Sequence, residues 1–158
     1  MKKQELKISF TSFQNTDELN KKDQKLVEKA IEATKTAYAP YSEFYVGAAL
    51  QLANGKIIIG SNQENSAYPS GLCAERVALF QAGTLFPDIA IETLVITART
   101  KGKKLKTIAN PCGACRQVMS ESTMRQNKPF RIILIGENGQ GYIFDSVDAL
   151  LPFSFKFE

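Results

Sequence analysis

Val46-Gly47-Ala48-Ala49-Leu50-Gln51-Leu52-Ala53-Asn54-Gly55-Lys56-Ile57-Ile58-Ile59 is the stretch on which the fold turns. Two apolar runs, 46–52 and 56–59, flank Asn54-Gly55, and Asn-Gly between such runs signals a β-hairpin because both residues tolerate positive φ. Upstream, Leu26, Val27, Ala30, Ile31, Thr34 and Ala37 recur at three- and four-residue steps and predict a helix over 23–38, which Pro40 ends. Downstream, 73–82 lacks Gly and Pro, and Ala74, Val77, Ala78 and Phe80 predict a largely buried helix. Leu94, Val95 and Ile96 in succession make 91–97 a strand buried on both faces. Pro111 opens a helix through 121, since proline is tolerated in a first turn. Then come a strand over 130–135, a Gly-rich turn over 136–141 and a short strand over 142–144. A short helix over 147–151, capped by Asp145 or Ser146, completes the order. Strands and helices alternate beyond the hairpin, which gives an α/β fold with one mixed sheet covered on both faces.

The amino end adds an alternation, Leu6, Ile8 and Phe10, so residues 1–15 form an arm or an extra strand. No repeat, low-complexity block or linker divides the chain, and 158 residues suit a single domain over 1–158. With 44% hydrophobic and 23% charged residues, disordered and fibrous classes are excluded. The net charge of +4 is far from a nucleic-acid binder's excess, so no nucleic-acid partner is expected. No run approaches the ~18 apolar residues of a membrane span, and the basic start lacks a secretory apolar core. The expected location is the cytoplasm, with no membrane partner.

Three cysteines and no histidine narrow the chemistry further. An odd count excludes a fully paired disulfide framework. Without histidine, Ser-His-Asp and Cys-His nucleophilic chemistry are impossible. Cys112 and Cys115, in Pro111-Cys112-Gly113-Ala114-Cys115, stand three apart on one face of a helix's first turn, and Cys73 stands near the start of another helix. Positive helix ends favour thiolate, the zinc-binding form. Spacing alone leaves three readings: a redox pair, a structural zinc closed by a carboxylate, or a catalytic zinc with three sulfur ligands and an open fourth position. Three thiolates on Zn²⁺ sum to −1 and call for compensating positive charge. Arg76 is the stronger candidate to supply it and Arg116, beside Cys115, the weaker. Glu75, two residues from Cys73, falls on another side of a regular helix, so spacing does not place it beside the metal's water.

Cys73-Ala74-Glu75-Arg76 and Pro111-Cys112-Gly113-Ala114-Cys115-Arg116-Gln117-Val118 resemble the two zinc motifs of the cytidine deaminases, in the small homotetrameric branch with three cysteine ligands. Tyr41-Ser42-Glu43-Phe44-Tyr45-Val46-Gly47-Ala48-Ala49 is similar to the family's Tyr-Ser-x-Phe-x-Val-Gly-Ala-Ala segment. Asn62-Gln63-Glu64-Asn65 is similar to its Asn-x-Glu-Asn nucleoside motif. The match runs in the family's order from about residue 22 to Phe155. The resemblance implies a three-layer α/β/α fold around a mixed sheet of about five strands. It implies one zinc per chain on Cys73, Cys112 and Cys115, with Glu75 shuttling protons. Asn62 and Glu64 would bond the ribose hydroxyls, Phe44 would pack on the pyrimidine, and the Ala74 N–H would meet the base carbonyl. Leu150-Leu151-Pro152-Phe153-Ser154-Phe155 resembles the family's Leu-Leu-Pro-x-x-Phe, whose last aromatic, here Phe155, closes a neighbouring subunit's site in a homotetramer.

The activity so implied is hydrolytic deamination of cytidine and deoxycytidine to the uridine nucleosides and ammonia, as in pyrimidine salvage. Rivals are a blasticidin-type aminonucleoside deaminase, a nucleic-acid cytosine deaminase, and a non-catalytic zinc-stabilised assembly protein. In the last, a carboxylate would close the zinc. The chain departs from the family's pattern at Ser66, where alanine is usual and which would bring a hydroxyl near the base. It departs also at Asn110, where serine is common, and in the lysine-rich stretch 101–106.

Overall fold

A computed structural model describes residues 1–157. Its elements in chain order are β1 (Thr11–Phe13), α1 (Lys21–Ala33), β2 (Phe44–Leu52), β3 (Ile57–Ser61), α2 (Ala74–Leu85), β4 (Ile91–Thr100), α3 (Gly113–Arg125), β5 (Arg131–Ile135) and β6 (Gly141–Phe144). The strands make one mixed sheet in the order β1-β6-β5-β4-β2-β3. Only β4 and β5, joined through α3, run parallel; all other neighbours are antiparallel.

Alternation along the central strands builds the layers, because successive side chains point to opposite faces. Val95 and Ile133 meet Leu26, Val27 and Ala30 of α1 on one face. Leu94, Ile96, Ile132 and Leu134 meet Ala78 and Leu79 of α2 and Met119 of α3 on the other. Burying such a side chain contributes roughly 1.5–3 kcal/mol, so these strands read as unbroken apolar runs. Two glycines let the helices come close. A Cβ on Gly47 would lie 2.0 Å from the Ala30 carbonyl of α1, and one on Gly60 would lie 2.4 Å from the Ala74 carbonyl of α2. The hairpin thus draws the start of α2 down onto the sheet.

The structure amends several expectations. The sheet has six strands rather than about five, because Thr11–Phe13 pairs with β6. The alternating Leu6, Ile8 and Phe10 lie exposed before that strand, although the Phe10 ring still packs on Tyr142 and Phe144. In the β2–β3 hairpin only Gly55 takes positive φ (81°), since the loop has three residues and not two. The Gly55 N–H donates to the Leu52 carbonyl, and the Leu52 N–H to the Lys56 carbonyl. The first helix ends at Ala33 and tightens into a 3-10 turn, Thr34–Thr36. The last expected helix is a single 3-10 turn, Val147–Ala149, capped by Ser146.

Candidate active site

Cys73 and Cys112 are the N-cap residues of α2 and α3, both extended (ψ 152° and 166°), and neither uses its side chain to cap its helix. Cys115 lies in the first turn of α3 and is buried. Both helices therefore begin at one place and present three sulfurs. Cys112 Sγ is 3.8 Å from Cys73 Sγ and 3.4 Å from Cys115 Sγ, and all three lie within 4.8 Å of one another. Zinc–sulfur bonds of about 2.3 Å at tetrahedral angles put sulfurs ~3.8 Å apart, so the trio fits zinc as it stands. Among the described residues the group able to hold a metal is this trio of sulfurs, and three protein ligands is the number that catalytic zinc sites use.

The electrostatics favour thiolate at Cys73. The Cys73 thiol is lowered to about 5 by the hydrogen bond from Cys115 and by Arg76, while Cys115, the donor in that bond, is pushed up. Arg76 Nη2 lies 3.8 Å from Cys73 Sγ and 3.3 Å from the Gly71 carbonyl. Its buried Nε has no acceptor among the described residues. Arg116 does not share this work: its Nε and Nη1 donate to the Pro111 and Leu150 carbonyls, each at 2.8 Å. The weaker of the two expected compensating charges is thus committed to the carboxyl-terminal segment.

Glu75 is 4% exposed, and burial, aided by the charge of Cys73, pushes its carboxyl above the usual range. It lines the same cavity of about 700 Å³ as Cys73, Arg76 and Cys112. Spacing alone does not place it there, because that reading treats Cys73 as part of a regular helix. Cys73 is instead an extended cap, and helical Cα–Cβ bonds tilt towards the N-terminus, so first-turn side chains gather at that mouth.

The hairpin and the segments flanking it also line the cavity, through Tyr41, Ser42, Phe44, Val46, Asn62 and Glu64. Asn62 is largely spent on the backbone. Its Oδ1 accepts from the Val46 N–H (2.8 Å), and its Nδ2 donates to the Phe44 carbonyl (2.9 Å). Glu64 accepts from the Ser42 hydroxyl and from the N–H groups of Tyr41 (3.0 Å) and Ser42 (3.3 Å), which hold its carboxyl below the usual range. Ala74 is fully buried and its side chain does not line the cavity; as the first helical residue, its N–H has no acceptor within α2. Asn110 lines the cavity; Ser66 is exposed and does not.

Phe155 is 72% exposed and lies outside the cavity of its own chain. Its backbone is gripped by the Gln117 amide, which accepts from the Phe155 N–H (3.2 Å) and donates to its carbonyl (2.8 Å). Sequence reasoning gave no role to Ser42, Tyr41, Tyr68 or Gln117. Each of the first two and the last lies inside a motif quoted above, but its partner is remote in sequence. Tyr68 joins Tyr41 in an edge-to-face pair at 6.1 Å.

A three-layer α/β protein with a three-thiolate zinc site at paired helix starts, and a buried carboxylate beside it, is the class these features define. The model of the cytidine and deoxycytidylate deaminase zinc-binding region matches residues 20–128. The cytidine deaminase of Halalkalibacterium halodurans is 41% identical over 136 residues, covering 85% of this chain and 95% of that one. That of Mycoplasma genitalium is 37% identical over 77% and 86% of the two chains. Among solved structures, the Burkholderia pseudomallei cytidine deaminase superposes with a TM-score of 0.71 at 37% identity, covering 83% of this chain and 97% of that one. The Mycobacterium tuberculosis enzyme gives 0.60 at 29%, covering 84% and 96%. The chain belongs to the cytidine and deoxycytidylate deaminase family.

Proposed function

We propose that this protein catalyses the zinc-dependent hydrolytic deamination of cytidine and deoxycytidine to uridine and deoxyuridine, releasing ammonia. The observation that carries the reading is one cavity lined by Cys73 and Cys112 of the sulfur trio, by the buried Glu75, and by Phe44, Asn62 and Glu64. Cys73, Cys112 and Cys115 would hold the zinc, which would supply Lewis acidity and lower the pKa of a water towards neutrality. Glu75 accepts a proton from the attacking water and delivers it to the ring nitrogen beside the amino-bearing carbon. It later protonates the departing amine. Its raised carboxyl suits a group that must hold a proton as well as take one. Arg76 offsets the surplus negative charge of three thiolates.

Phe44 packs on the pyrimidine, and the free N–H of Ala74 donates to the base carbonyl. Asn62 and Glu64 hold ribose hydroxyls: each keeps spare bonding capacity after its backbone bonds are counted. Residues 1–158 act as a single domain, with 1–15 an appended arm. The exposed Phe153, Phe155 and Phe157 support assembly as a homotetramer in which Phe155 closes a neighbour's site. No helix among the described residues is long and apolar enough to cross a membrane, which accords with pyrimidine salvage in the cytoplasm.

An ultraviolet assay across cytidine, deoxycytidine, blasticidin S and a cytosine-containing oligonucleotide, with metal analysis in parallel, tests the reading. Turnover of the first two with one zinc per chain is expected. Preference for blasticidin S or the oligonucleotide, or a zinc-loaded protein inert on all four, would overturn it.

A further inference from the structure

The loop before β2 carries a bonded chain that the reaction as described leaves unused. The Phe44 N–H donates to Ser42 Oγ at 3.1 Å, and the Ser42 hydroxyl donates its only proton to Glu64 Oε1. The Tyr41 and Ser42 N–H groups meanwhile occupy Glu64 Oε2. A carboxylate offers about four acceptor sites. Three are taken here, and the open one lies on Oε1, beside the Ser42 hydroxyl. Between Ser42 and Phe44, Glu43 holds the left-handed conformation (φ 52°), uncommon for a residue with a side chain. The turn is therefore held in shape by its bonds, and the carboxylate is their hub. Ser42, Phe44 and Glu64 all line the cavity.

We propose that Ser42 is a positioning residue that aims the remaining acceptor of Glu64 at a ribose hydroxyl and, through the same oxygen, fixes the backbone of Phe44. The inference rests on the reading of Glu64 as a ribose ligand. A hydroxyl that accepts from an N–H while donating to a carboxylate is polarised in one direction, so its proton is not free to serve substrate. Its effect reaches substrate only through Glu64 and Phe44, and it concerns the sugar more than the base.

The test compares cytidine with 2′,3′-dideoxycytidine, which lacks both ribose hydroxyls, in the zinc-loaded parent and in the Ser42→Ala, Ser42→Thr and Glu64→Gln variants. Loss of a hydrogen bond to a charged group predicts that Ser42→Ala lowers kcat/KM for cytidine about tenfold, mainly through KM, and for dideoxycytidine by less than about twofold. Ser42→Thr, which keeps the hydroxyl, restores cytidine turnover to within about threefold of the parent. If the parent, or the parent relative to Glu64→Gln, shows no advantage for cytidine, the ribose reading of Glu64 fails and the role of Ser42 falls with it. If that advantage is present and Ser42→Ala retains it, or loses both substrates equally, the positioning role alone is overturned. Failure of Ser42→Thr to rescue overturns it as well.

Discussion

Helix α1 and the pair α2 and α3 lie on opposite faces of one sheet and begin in opposite ways. At the start of α1 the Asn20 side chain accepts the Asp23 N–H at 2.9 Å and donates to the Asp23 carboxylate at 2.8 Å. Arg131 of β5 closes the arrangement with two further bonds to that carboxylate, at 2.9 and 3.3 Å. At the starts of α2 and α3 the caps are Cys73 and Cys112, and no side chain caps either helix. An N-cap contributes about 1 kcal/mol, and that stabilisation is forgone twice at one spot. In exchange, two positive helix ends stay free to favour thiolate. The uncapped ends mark where the chain does chemistry, and the sealed end marks where it only holds together.

The contrast breaks hardest at the sulfurs. Cys115→Ser removes one zinc ligand, so metal analysis should fall from one zinc per chain towards none. Turnover should drop more than about a thousandfold as the attacking water returns towards its bulk acidity. Full activity in that variant would erase the distinction between the two kinds of helix start. Glu75→Gln is milder: zinc stays bound and kcat falls about 10²–10⁴-fold, read from single-substrate kinetics on metal-loaded protein. On the sealed face, Asp23→Ala should lower the urea-unfolding free energy by about 1–3 kcal/mol. Zinc content and kcat/KM should there stay at parent values, and a change in either would show that the closed start also serves the site. Smallest is Arg76→Gln, with kcat/KM reduced about tenfold. Losing a cation favours protonated forms, so its pH–rate profile should move to higher pH. Superimposable profiles for variant and parent would remove Arg76 from charge compensation.

Much of this was legible in residue order because the decisive signals are local. Asn54-Gly55 announces the hairpin, and Leu94-Val95-Ile96 announces a strand buried on two faces. The count of three cysteines with no histidine leaves sulfur to bind zinc. What escaped is tertiary. An extra strand within 1–15 was allowed for, but its place was not: β1 is three residues long with only Phe13 buried, too short for any period, and the alternation before it is exposed. Arg116 lies beside a zinc ligand in sequence, yet its guanidinium turns to carbonyls as distant as Leu150. Asn62 sits at a hairpin end like any polar residue, and nothing local reveals that its amide stitches Phe44 to Val46. Spacing alone left Glu75 unplaced, and its role rested on the motif, because a regular helix through Cys73 was assumed where the chain has an extended cap.

The grip of Gln117 on Phe155 and of Arg116 on Leu150 has a practical side. An affinity tag fused after the last residue, Glu158, would follow a segment held by the very helix at whose start two of the three sulfurs sit. A tag ahead of Met1 would trail from β1, the strand at the opposite margin of the sheet from the hairpin. Protein purified for metal counting and kinetics is best handled by its amino end.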